Sequence, residues 1–173
     1  MSGEFSGRQL LDGLLKLKSS SGSMANLRRG LHGNTTSKMS CMTVLWKFLP
    51  SDTPDHLLDL CRAVASFYAT HPMHTNDNVS MGIAMAKLAG NNPDSFGRRF
   101  ERLLESSRER AVLHIEGMIK MLSQNGIPIN YEKLFDDLKF WSPTYKTRSV
   151  QMSWARDFFS YLRKDKENSH VES

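Results

Sequence analysis

Apolar residues recur at three- and four-residue steps through almost the whole chain, and no stretch keeps the two-residue alternation of a strand. The pattern predicts an all-α fold. A first helix is expected from Phe5 to Lys18, burying Leu10, Leu11, Leu14 and Leu15 and stopped by Ser19-Ser20-Ser21-Gly22. A short helix follows from Ser23, an N-cap residue type, carries Leu27, Arg28, Arg29 and Leu31, and ends at Gly33-Asn34. Asn34 to Ser40 reads as a loop before the apolar run Cys41 to Leu49, which Pro50 closes. Thr53-Pro54, a capping residue followed by a proline at the first helical position, opens a helix to Thr70. Leu57, Leu60, Cys61, Val64, Phe67 and Tyr68 give it one buried stripe.

His71 to Asn78 is polar and rich in turn formers, which predicts a surface loop, and Val79 to Leu88 predicts a shorter helix. Gly90-Asn91-Asn92-Pro93-Asp94 is the strongest break in the chain. A long helix is expected from Ser95 to Gln124, with Phe96, Phe100, Leu103, Leu104, Ala111, Ile115, Met118, Ile119 and Leu122 on one side and Asn125-Gly126 at its end. Asn130 caps the next, whose Tyr131, Leu134, Phe135, Leu138 and Trp141 face inward, and a last helix over 146–163 buries Val150, Trp154, Phe158, Tyr161 and Leu162. The polar tail from Asp165 is expected to fray. The organisation is an N-terminal helical part, residues 1–92, and a C-terminal helical bundle, residues 93–173, or one continuous domain.

At 173 residues and 19.7 kDa, the chain has room for one domain or two small ones, and 39% hydrophobic with 24% charged residues suits a folded core. No apolar run approaches the roughly 20 residues that cross a bilayer, and Met1-Ser2-Gly3-Glu4-Phe5 lacks the basic-then-apolar pattern of a signal peptide. The expectation is a soluble cytoplasmic protein without a membrane partner. Cys41 and Cys61 lie among apolar residues without a CxxC spacing, which points to buried thiols rather than a disulfide or a zinc site.

A catalytic or metal site needs reactive groups held together, and the sequence offers few. Pro72 keeps His71 and His74 from pairing on a helix, so both are expected in a solvated loop. Asp136 and Asp137 point about 100° apart on a helix and read as ordinary surface carboxylates. His114 reads as a hydrogen-bonded core histidine. Neither glycine-rich phosphate motif occurs, and no cofactor is expected.

The basic residues say more, since 23 Lys and Arg stand against 18 Asp and Glu, a net charge of +5. Arg28 and Arg29 lie in an N-terminal third with few acids. Arg99, Arg108 and Arg110 flank the apolar stripe of the long helix, where Glu101, Glu105 and Glu109 offer i,i+4 partners to Arg98 and Arg102 and make it largely self-neutralised. Arg148, Arg156 and Arg163 form a stripe on the last helix, opposite its apolar face. These residues leave open a nucleic-acid-binding bundle and a protein-interaction bundle, with less support for an enzyme.

The runs Arg98 to Arg108, Gly126 to Trp141 and Trp154 to Phe159, with the Leu27-Arg28-Arg29-Gly30-Leu31 box and the Ala63 to Ala69 helix, resemble the CasB family. CasB is the small subunit of the type I-E CRISPR surveillance complex Cascade. The resemblance implies a non-enzymatic subunit, present as two copies against the backbone and large subunits. Its nucleic-acid partners would be crRNA, target DNA and the displaced single-stranded DNA, bound without reading sequence. Carried over by position, it implies nucleic-acid contacts at Arg28, Arg29, Arg99, Arg108, Lys146, Arg148 and Arg156. The alternative is a helical scaffold whose arginines meet acidic protein surfaces only.

Overall fold

A computed structural model describes residues 5–90, 92–142 and 149–171. Among them the chain forms nine helices and no β-strand: α1 (Gly7–Leu17), α2 (Ser21–Arg29), α3 (Thr35–Leu45), α4 (Asp55–Thr70), α5 (Met81–Ala89), α6 (Pro93–Leu104), α7 (Arg108–Gln124), α8 (Tyr131–Lys139) and α9 (Val150–Val171). The all-α expectation holds.

Short polar side chains start several of these helices by accepting orphan N–H groups. Ser20 takes the Ser23 amide, Asn34 the Ser37 amide, Ser80 the Ile83 amide and Ser107 the Arg110 amide. Two expectations are corrected here. The second helix begins at Ser21 behind the Ser20 cap rather than at Ser23. Asn34 to Ser40 is not a loop: Asn34 caps α3, whose first turns are polar because they face solvent.

The long helix over 95–124 is two helices. α6 stops at Leu104, and α7 restarts behind Ser107. Ser106 donates its hydroxyl to the Leu103 carbonyl at 2.6 Å, and Trp141 Nε1–H donates to the Ser106 carbonyl at 3.0 Å. Two adjacent serines thus offer the backbone partners outside the helical ladder, while the apolar period resumes in phase beyond them and hides the break.

The contacts gather into two compact units, one holding the described residues up to His74 with Tyr131–Lys139, the other Thr75–Asn130 with those from Phe140 onward. This division differs from 1–92 and 93–173, and side chains of α8 explain half of it. Phe135 meets Phe5 edge to face at 5.7 Å, Asp136 Oδ1 accepts the Gly7 amide at 2.8 Å, and Lys139 donates to the Phe5 carbonyl. A Cβ on Gly7 would stand 2.2 Å from the Glu132 carbonyl oxygen, so α1 and α8 touch backbone to backbone. Asp136 therefore caps α1 rather than standing free at the surface. Around this seam α2 packs on α3 and α4, burying Leu14, Leu27, Leu45, Phe67 and Tyr68. Leu15, expected inside, is 44% exposed at the edge of the stripe.

In the second unit α5 lies along α9. Gly82 permits it, since a Cβ there would meet the Trp154 carbonyl oxygen at 2.2 Å. Trp154 meets Trp141 edge to face at 5.2 Å, and Phe158 stacks on Phe100 at 4.6 Å. Ser80 donates to Asp157 Oδ2 at 2.6 Å, tying the start of α5 to the middle of α9. Val150, Tyr161 and Leu162 are only half-buried, and the polar segment after Asp165 continues as helix to Val171. Gly90 ends α5 with φ +39°, a conformation that favours glycine.

Candidate nucleic-acid interface

Within the first unit, Arg28 and Arg29 occupy the last turn of α2, where positive charge suits the helix dipole. Both are exposed, but their roles diverge. Arg28 donates Nε–H to the Ala69 carbonyl at 2.9 Å at the end of α4, and its own carbonyl accepts from Ser66 Oγ. Arg29 has no such tie among the described residues. Arg62, beneath them, bonds the Gly30 carbonyl at 2.5 Å and Asp59 at 3.0 Å, so its charge is locally matched.

Within the second unit, Arg99 is exposed on α6 and rests Nη1 at 3.7 Å from Met121 Sδ, while Arg108 is half-buried in the first turn of α7. The bonds at this turn to the Glu109 backbone and the Ser107 hydroxyl hold the Glu109 carboxyl below its ordinary range, with Arg108 adding a smaller pull. Arg156 is exposed on α9, and Arg163, seven positions on, shares its face. Its neighbour Asp157 turns to Ser80 instead. Lys146 and Arg148 lie outside the described residues.

The expected self-neutralisation of the long helix fails. Among the described residues, Arg98, Arg99 and Arg102 form no ion pair, although Glu101 shares α6 with them and Glu105 stands at its end. Instead they line two grooves. One, of about 660 Å³ between α6 and α9, sets Arg98, Arg163 and Lys166 against Asp94, Glu101 and Glu167 beside Phe159. The other, of about 430 Å³, joins Arg99 to Arg102 and His114 over a floor of phenylalanine and methionine. His114 is thus exposed on a groove wall, not in the core.

His71, expected in a solvated loop, is fully buried, and Tyr131 N–H donates to His74 Nδ1 at 3.3 Å. Burial pushes the thiols of Cys41 and Cys61 up to about 11 and about 12, so neither is a ready thiolate nucleophile or ligand. Among the described residues, no three His, Cys, Asp or Glu side chains gather as metal ligands, and no helix is long and apolar enough to cross a membrane.

The family model described as CRISPR-associated protein Cse2 matches residues 23–159. The chain belongs to the Cse2 family. The match takes in every run of residues that carries the CasB resemblance. Among solved structures, a Cse2-family protein from Thermus thermophilus is similar at 26% identity, over 89% of this chain and 97% of that one, with a TM-score of 0.75. CasB from M. ruber shares the fold at 22% identity, over 96% and 99%, with a TM-score of 0.72. A chain of a CRISPR RNA-guided surveillance complex does so at 20% identity, over 94% and 96%, with a TM-score of 0.77. No curated protein matches the chain.

Within this Cse2 chain, sequence reasoning undervalued Arg98 and Arg102, which it paired with glutamates one turn away, and it gave Lys166 to a frayed tail. Spacing carried no signal for this, since Glu101 shares α6 with both arginines and Glu105 caps its end, yet among the described residues neither pairs with them.

Proposed function

We propose that this Cse2 chain is the non-catalytic small subunit of a type I-E CRISPR Cascade complex, in the cytoplasm. It packs against the backbone and large subunits and a second copy of itself. Its arginines hold crRNA-paired target DNA and the displaced strand without reading sequence. The observation that carries this reading is the Cse2 match over 23–159; the exposed arginines Arg29, Arg99 and Arg156, without ion pairs among the described residues, support it. Arg28, Arg108, Lys146 and Arg148 complete the proposed contact set.

The physical logic is a small bias on a balanced exchange. An RNA–DNA heteroduplex is about as stable as the DNA duplex it replaces, so backbone contacts to either strand tip the R-loop. Arginine suits the task, because its planar fork grips phosphate and stacks on bases. Replacing Arg29 and Arg156 by alanine in the assembled complex is expected to weaken target binding on all sequences alike at about 0.15 M salt. Equal binding by variant and wild-type complexes would remove these residues from the contact set.

The second reading, a scaffold that touches only protein, draws support from the α6–α9 groove, which three Lys and Arg line together with three Asp and Glu beside the half-exposed ring of Phe159. Passing the isolated chain over immobilised single-stranded DNA separates the two. Retention that falls with salt supports the strand-binding role, and no retention at any salt, with full incorporation into the complex, supports the scaffold.

A further inference from the structure

The smaller groove of the second unit, where α5, α6 and α7 meet, is cationic on its walls and apolar on its floor, and no Asp or Glu lines it. Arg99 and Arg102 stand one turn apart on one face of α6. His114, Gly117, Met118 and Met121 follow one face of α7, and Met85 and Phe96 complete the floor. Arg99 is held over that floor by its contact with the Met121 sulfur, a weak acceptor that leaves most of the guanidinium's N–H groups unused. Neither arginine meets a carboxylate among the described residues. The wall is open at Gly117, where a Cβ would find nothing within 4 Å.

We propose that this groove seats one nucleotide of a single nucleic-acid strand. Its phosphate lies between Arg99 and Arg102, with His114 adding a ring N–H from the facing helix. Its base packs on the Phe96 ring and the thioethers of Met118 and Met121. The groove's volume of about 430 Å³ suits one such unit and not a duplex. Polarizable sulfur and an aromatic ring accept the face of any base, and the floor carries no polar group to read a base edge. An acidic peptide would match the cations but leave the floor unused, which is why a nucleotide is the better fit. The α6–α9 groove, with as many carboxylates as Lys and Arg, lacks this bias. The proposal rests on the strand-binding reading above and gives it a location.

Two glycines provide a matched test. Gly117 and Gly97 are both helical, and a Cβ on either meets nothing within 4 Å. Gly117→Glu and Gly97→Glu therefore add the same charge and the same gain in helix propensity, the first in the proposed groove, the second in the mixed-charge one. The probe is a 5-iodouracil-substituted oligothymidylate on the intact chain at low salt, followed by anisotropy and by peptide mapping after photo-cross-linking. The expected result is binding about tenfold weaker for Gly117→Glu than for Gly97→Glu, with cross-links to Phe96 or to residues between His114 and Met121. If wild type binds the strand, but both variants bind alike and cross-links fall only elsewhere, the nucleotide site is overturned and the strand-binding reading stands. If wild type binds no strand at any salt, both fall together. If poly-glutamate displaces the strand at equal charge and no cross-link reaches Phe96 or the methionines, the groove is a peptide site and the proposal is overturned.

Discussion

The hydroxyl of Tyr131 donates to the carbonyl of His71 at 2.5 Å, and the Phe67 carbonyl lies 3.2 Å from the same oxygen. One side chain of α8 thus serves the end of α4, where the helix runs out of intrahelical donors. Burial holds the phenol well above its ordinary range, with the neighbouring Tyr68 adding to the effect, so it remains a neutral donor at all ordinary pH. Tyr131→Phe keeps the edge-to-face contact with Tyr68 and removes only the donor. It should cost about 1–2 kcal/mol, read as a fall in melting temperature of about 2–8 °C by circular dichroism. An unchanged melt would mean that other donors satisfy these carbonyls.

Arg28 and Arg29 separate a structural arginine from one with no side-chain tie among the described residues. Arg29→Ala should leave the melt within about 0.5 kcal/mol of wild type and reduce the magnitude of the log–log salt slope for single strands by about 0.7. Arg28→Lys should do the reverse: the charge and the slope persist, while loss of the Nε–H bond to the Ala69 carbonyl lowers stability by roughly 0.5–1.5 kcal/mol. Anisotropy titrations at four salt concentrations, with melts on the same samples, read both quantities. Identical behaviour of the two variants would contradict the division of roles.

The helices were legible where one face is apolar and the other polar. In α4 every residue of the expected stripe, Leu57, Leu60, Cys61, Val64, Phe67 and Tyr68, is buried, but so are Ala63, Ala65, Ser66 and Ala69, whose small side chains let neighbouring helices enclose its second half on all sides. The failures share a cause. Periodicity reports which face is buried but not whether the backbone continues, so an in-phase break at Ser106-Ser107 passed as one helix. The polar stretch Asn34 to Ser40 passed as a loop for the converse reason, the first turns of α3 facing solvent. At the candidate site, the charged residues were visible but their partners were not. Whether Arg102 meets Glu105 or stands over a groove depends on where its side chain turns, which spacing does not fix, and whether Arg28 is tied down depends on α4, packed against it from forty-one residues away.

The two thiols make stability sensitive to high pH. Folding raises Cys41 to about 11 and Cys61 to about 12, chiefly by desolvation, from an ordinary 9.0. Above pH 9 the unfolded chain releases these protons while the folded one keeps them. The stabilisation is therefore complete below about pH 9 and is lost as pH rises through about 11 and 12. Melting temperature should decline over this window, and less steeply in Cys41→Ala/Cys61→Ala, although Tyr131 titrates in the same direction. A thiol reagent at pH 8 should modify neither cysteine until the chain unfolds. Rapid modification of native protein would place a thiol at the surface.

The contact between Gly82 and Trp154 sets how closely α5 and α9 can lie. A Cβ on residue 82 would come 2.2 Å from the Trp154 carbonyl oxygen and 2.9 Å from its carbonyl carbon, distances that only a shift of one helix can relieve. Backbone cannot rotate away as a side-chain tip would, and the shift would disturb Trp154, which is fully buried, and the nearby Ser80–Asp157 bond. Gly82→Ala should therefore destabilise by about 1–3 kcal/mol, despite the roughly 1 kcal/mol that alanine gains over glycine in a helix. Gly97→Ala, on a helix where the same atom meets nothing, should show that gain alone. Urea unfolding of the two variants beside wild type reads the difference as opposite shifts of the midpoint, and a stabilised Gly82→Ala would show that α5 and α9 are free to move apart.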